Sequence, residues 1–131
     1  MTAARDLVVD TDILIDVGRG IPEAVGYLQA KQQQYRVCIS TITHLELLVG
    51  AQNKTELRKI DRFVQRFGLL RTSEAIADRA TELVRQYRLS HGLLLADALI
   101  AGTALAYGIP LATKNQRHYR FIAQLLLLPY P

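Results

Sequence analysis

Short apolar runs of strand length, LVV, VCI, LL and LLLL among them, recur along this chain between longer segments of helical period. A strand that is apolar at successive positions, not at alternate ones, is buried on both faces. Such strands need helices above and below, and parallel strands joined by helical crossovers supply them. The alternation therefore predicts an α/β fold with a central parallel sheet flanked by helices in three layers. At 131 residues, without an internal repeat, linker or low-complexity stretch, the whole of 1–131 reads as a single domain.

The local signals place the elements. LVV is a strand ending at Asp10, and DTDILIDVGRG opens a short helix with Thr11 or Asp12 as its N-cap. Pro22 starts a helix running to about Gln34, RVCI is a strand, and Ser40 caps the helix ITHLELLVG, which stops at Gly50. A polar helix spans about 54–67, with Ile60, Phe63, Val64 and Phe67 on one stripe, followed by the strand LLR. A long helix begins at Ser73 or Glu74 and ends at Arg88, where SHG breaks it. The apolar helix of about 96–107 ends at Gly108; PLAT is a strand, NQRHYRF a loop or helical turn, and LLLL the last strand.

Against this background three carboxylates stand in apolar surroundings: Asp10 after LVV, Glu46 in ITHLELLVG and Asp97 in LLLADALIAGTALA. An unpaired carboxylate is costly to desolvate, so a shared compensating partner is expected, and a hard divalent cation prefers oxygen ligands. Asp10 has a second reading as the cap of the following helix. Glu46 shares a stripe with Ile42, Leu45 and Val49 that is expected to face the core, while His44 is expected at the surface. Asp97 shares its face with Leu94, Ala98, Ala101 and Leu105. Asp12 is a supporting residue or second ligand, Asp16 a solvated acid, Thr43 is suited to hold the Glu46 carboxylate or a metal-bound water, and Thr113 and Asn115 are suited to supporting or water-mediated contacts around the site. Functional groups in parallel α/β sheets gather beyond the carboxyl ends of the strands, where both Asp10 and Asn115 fall.

Composition excludes several classes. Half the chain is apolar and 21% is charged, which argues against disorder. No apolar run is long enough to span a membrane, MTAARDLVVD lacks the apolar core of a signal peptide, and the lone Cys38 fits a reducing compartment. A cytoplasmic protein with no membrane association is expected. Setting Asp10, Asp12, Glu46 and Asp97 aside in one pocket leaves sixteen basic against eight acidic side chains, a surface suited to a polyanion. His and Cys are too sparse for zinc spacing, and no GxxxxGK[ST], GxGxxG or GxSxG string is present.

VVDTDILIDVGRG, ISTITHLELLVGA and LLLADALIAGTALAYGIPLATKNQRHY, with the tail LLLLPYP, together resemble a PIN domain, and more closely a VapC-type ribonuclease toxin of a type II toxin–antitoxin system. The resemblance runs nearly end to end. It implies a PIN-like fold and metal-dependent endoribonuclease activity with Mg²⁺ or Mn²⁺. Asp10, Glu46 and Asp97 fall on the family's three acidic ligand positions, and Asn115 on the fourth, where an amide supplies no charge. Asp12 matches a polar position of the first motif. The resemblance further implies a homodimer, and a cognate VapB-like antitoxin whose tail enters the acidic pocket.

On that reading Asp10, Glu46 and Asp97 hold one Mg²⁺ for RNA phosphodiester hydrolysis, with Lys114, Arg117 and Arg19 as candidates to hold the backbone. Two other readings remain open on the residues. VVDTDILID resembles the opening of haloacid-dehalogenase-like phosphatases, although Ile13 and Leu14 stand where that motif continues Gly-Thr, and it leaves Glu46 unexplained. A non-catalytic nucleic-acid-binding module is the other.

Overall fold

The computed structural model describes residues 5–131; the first four residues of MTAARDLVVD, part of the stretch that argues against a signal peptide, lie outside that range. In chain order the elements are β1 (Arg5–Val9), α1 (Thr11–Gly18), α2 (Pro22–Gln34), β2 (Tyr35–Ser40), α3 (Thr41–Val49) and α4 (Lys54–Val64). Then follow β3 (Gly68–Leu70), α5 (Glu74–His91), α6 (Leu95–Tyr107), β4 (Leu111–Ala112), a 3₁₀ turn (Gln116–His118) and β5 (Leu127–Leu128). The strands form one sheet in the order β3-β2-β1-β4-β5, with every pairing parallel.

The apolar runs have the cause expected of them. Along β1 successive side chains point to opposite faces. Leu7 and Val9 pack with Ile13, Leu14 and Leu28, whereas Val8 packs with Ile100, Ala101 and Ala104. The sheet thus separates two cores, one under α1 and α2 and one under α5 and α6. Each fully buried aliphatic side chain contributes roughly 1.5–3 kcal/mol. Cys38 is free and fully buried in the second of these cores, and burial pushes its thiol up. Among the described residues no helix is long and apolar enough to cross a membrane.

Several boundaries differ from the sequence expectation. The N-cap of α1 is Asp10, whose side chain accepts from the Thr11 N–H, not Thr11 or Asp12. Helix α4 stops at Val64, and Phe67 reaches the core from the following turn, meeting Phe63 edge-on at 5.3 Å. Helix α5 continues one turn past Arg88, because the residue able to take the left-handed capping conformation is Gly92, at φ 69°.

The α3 stripe is also rotated from its expected setting. Thr43 is the buried residue of that helix, while Leu45 is 50% and Val49 85% exposed, and Glu46 is exposed with them. His44 is half-buried, its Nε2 lacking a hydrogen-bond partner and lying 3.7 Å from Asp61. Short apolar helices carry too little polar contrast to fix their rotation by pattern alone.

Helix α6 lies close on α5 at Gly102. A Cβ there would come 3.1 Å from the Ala80 amide nitrogen and 3.2 Å from the Ile76 carbonyl oxygen. Gly102→Val should therefore destabilise the chain by at least about 2 kcal/mol in denaturant unfolding. Gly26, exposed within α2 with open space around it, should behave oppositely, Gly26→Ala adding roughly 0.5–1 kcal/mol.

Candidate active site

From β1 the chain proceeds outward through β2 to β3, then returns to lay β4 on the other side of β1. The carboxyl ends of β1 and β4 therefore flank a topological switch point, where neighbouring crossovers diverge and leave a crevice. Asp10 follows β1 and Thr113 follows β4. Their backbones are joined by the Asp10 N–H donating to the Ala112 carbonyl at 2.9 Å, and their side chains by the Thr113 hydroxyl donating to Asp10 Oδ2 at 2.8 Å.

Asp10 is 5% exposed. Burial, and after it the nearby Asp12 charge, push its carboxyl up to about 7, although the Thr113 and Thr11 hydrogen bonds pull the other way. Burial raises Asp12 as well. Asp12 is a clamp: its Oδ2 accepts the Asn115 N–H at 2.9 Å and the Lys114 N–H at 3.1 Å, and lies 3.2 Å from the Thr113 hydroxyl, while Oδ1 accepts the Ile13 N–H. One carboxylate thus ties the start of α1 to the loop after β4.

Asp97 sits in the first turn of α6, with its side chain 14% exposed. Its Oδ1 accepts the Tyr119 hydroxyl at 2.9 Å and its Oδ2 lies 3.1 Å from His118 Nδ1. Tyr119 is fully buried, and its hydroxyl also interacts with Asp10. Burial, then the charges of Asp10 and Asp97, push the phenol far up, so it remains a hydrogen-bond donor, its proton directed to Asp97. The residues themselves did not single out Tyr119; its only signal was a hydroxyl-bearing aromatic ring in the loop that leaves β4.

Glu46 joins from the flank. Its Oε1 accepts the Thr11 hydroxyl at 2.6 Å. Thr43, fully buried, lies 3.0 Å from the Thr11 hydroxyl oxygen and 3.3 Å from that of Ser40, so it supports Thr11 and makes no hydrogen bond to the carboxylate. Thr113 does hold a carboxylate directly. The contacts of Asn115 come from its backbone N–H, which donates to Asp12 and lies 3.1 Å from the Thr113 hydroxyl oxygen. Asp16 is not simply solvated, being paired with Lys114 at 2.8 Å; Arg19 and Arg117 are exposed.

Folding brings Asp10, Asp12 and Asp97 into electrostatic reach of one another, with Glu46 linked through Thr11. Among the described residues no three His, Cys, Asp or Glu side chains already stand as a group able to hold one metal ion. Asp10, Asp97 and Glu46 accept hydrogen bonds from Thr113, Tyr119 and Thr11 respectively, and Asp97 also lies 3.1 Å from His118. The donor set nevertheless suits a hard divalent ion in kind: oxygen ligands, one of them the carboxylate of Asp10, raised first by burial and then by the neighbouring charge of Asp12.

The PIN domain family model matches residues 7–123. The chain is 35% identical over 120 residues to Ribonuclease VapC10 of Mycobacterium tuberculosis, covering 91% of this chain and 90% of that protein. It is 33% identical over 119 residues to Ribonuclease VapC19 of the same organism, covering 89% and 94%. Among solved structures it resembles a toxin-antitoxin complex from Klebsiella pneumoniae, with a TM-score of 0.77, 30% identity, and 94% and 96% of the two chains covered.

Two outcomes follow from this geometry. The folded Asp10 pKa, near 7, lies above the ordinary 3.8, so folding favours the protonated acid. Its effect is absent below pH 4 and becomes an increasing cost, about 4 kcal/mol when complete, as pH rises through 7. In EDTA, Asp10→Asn should accordingly be more stable than the parent at pH 8 and equal to it at pH 4 in urea unfolding. Tyr119→Phe should fold and yet bind Mn²⁺ about 10- to 100-fold more weakly, as measured by titration of the free ion.

Proposed function

The chain belongs to the PIN-domain family, and from that premise we propose that it is a divalent-metal-dependent endoribonuclease, the toxin of a toxin–antitoxin pair. The observation that carries the reading is the buried Asp10 at the sheet switch point, with Asp12 and Asp97 in electrostatic reach of it. The two ribonuclease relatives, each matched over most of its length, support RNA as the substrate. The Klebsiella complex supports a VapB-like antitoxin as partner.

Asp10, Asp97 and Glu46 would hold Mg²⁺ or Mn²⁺, which when bound acidifies a water and offsets charge on the phosphoryl group. The chain's own residues prepare that site. Thr113 fixes the Asp10 carboxylate, Tyr119 presents a proton to Asp97, and Thr11 orients Glu46. Asp12 holds the 113–115 loop against α1, which sets where Asn115 stands. Lys114 is committed to Asp16, leaving Arg117 as the more available cation of that loop for the RNA backbone. The exposed Leu45 and Val49 of α3 are available to a homodimer or the antitoxin.

The PIN match over nearly the whole chain speaks against the phosphatase alternative, as do the four donors engaging Asp12. Purified chain incubated with structured RNA should cut it in Mn²⁺ or Mg²⁺ and leave it intact in EDTA. Asp97→Asn should lower the rate more than about 100-fold at unchanged melting temperature. Equal cleavage by Asp97→Asn, with contaminating nuclease excluded, would refute the assignment, and cleavage-free RNA binding that persists in EDTA would favour a binding module.

A further inference from the structure

Beside Asp97, the junction of α5, α6 and the 3₁₀ turn encloses an open cleft of about 230 Å³. Asp97 is the one site carboxylate that lines it. Its floor includes Leu93 and its rim the half-exposed Leu94. His91 and Phe121 stack with ring centroids 4.4 Å apart and planes 14° from parallel, and Tyr87 meets both rings at an angle. Arg88 braces this wall, donating to the Gly92 and Leu93 carbonyls at 3.1 Å each. Arg117 and His118 also line the cleft. Among the described residues Arg117 has no carboxylate partner, unlike Lys114 on the same loop.

An exposed imidazole with one face packed leaves the other free as a stacking platform. Bases of single-stranded RNA are recognised chiefly by such stacking, with cations taking the phosphates. A phosphate brought this close to Asp97 also needs a local positive charge. Resting on the ribonuclease reading, we propose that the cleft seats the nucleotide adjoining the scissile phosphodiester of a single-stranded RNA, its base on the open face of His91 and its phosphate against Arg117. His91 and Arg117 then determine how the strand is registered at the acidic site.

Binding of a short fluorescent single-stranded oligoribonucleotide tests this, measured by anisotropy in EDTA on the full-length Asp10→Asn chain, which is not altered in the cleft. Adding His91→Ala should weaken binding about 5- to 100-fold with the salt dependence unchanged. Adding Arg117→Ala should weaken it too and lower the slope of log affinity against log salt by about 0.7. His91→Phe, which keeps the platform, should bind as the Asp10→Asn chain does. Arg58→Ala on the exposed face of α4, an element absent from the cleft, should change affinity less than about twofold.

In the otherwise unmodified chain, His91→Ala and Arg117→Ala should raise KM more than they lower kcat. The proposal fails if either alanine variant binds like the Asp10→Asn chain, if His91→Phe loses as much as His91→Ala, or if Arg58→Ala weakens binding as much as Arg117→Ala. It fails equally if no oligoribonucleotide binds. Should the unmodified chain cut no RNA while the affinities follow the expected pattern, the ribonuclease reading falls and the cleft stands. Cleavage with unaltered affinities gives the reverse.

Discussion

A single hydroxyl, that of Thr113, donates to a carboxylate that water scarcely reaches, and the arrangement of the site depends on that contact. It spans the carboxyl ends of β1 and β4, the two strands whose connections leave in opposite directions. Asp10 is placed there by the sheet: its N–H continues the ladder to Ala112, and its side chain caps α1. The cap and candidate-ligand readings of Asp10 are therefore not exclusive. One carboxylate oxygen accepts the Thr11 N–H and the other the Thr113 hydroxyl.

Around this contact the negative charge is graded by what each acid accepts. Asp12 is satisfied by backbone donors and serves as a mechanical tie between α1 and the loop after β4. Asp97 accepts the hydroxyl of Tyr119, a phenol that burial and the nearby charges of Asp10 and Asp97 keep protonated. Glu46 is exposed and is held through Thr11. The result is an acidic crevice kept tolerable by hydroxyl donors.

The fold was legible to the extent that burial repeats along the strands. LVV and VCI are apolar throughout because helices cover both faces, and Gly108, in the left-handed conformation, and Pro22, at a first helical position, mark helix ends by their own backbone chemistry. Legibility failed where a helix is short and apolar all round. On α3 the pattern gave Ile42, Leu45, Glu46 and Val49 one inward face, whereas packing turned Thr43 inward and left Leu45 and Val49 in solvent. The end of α5 was misplaced because Ser90 and His91 are weak breakers, and only Gly92 readily adopts the left-handed cap.

Chain chemistry alone singled out Asp10, Glu46 and Asp97 as acids in apolar surroundings, of which the fold buries Asp10 and most of Asp97 and leaves Glu46 exposed, and it determined that a parallel sheet would gather strand ends on one edge. What it could not determine is who satisfies them. The Thr113–Asp10 pair is separated by 103 residues and the Tyr119–Asp97 pair by 22. Such pairs form because crossovers and loop closure bring distant hydroxyls to one crevice, and hydrogen-bond geometry of a few tenths of an ångström leaves no periodic trace along a chain.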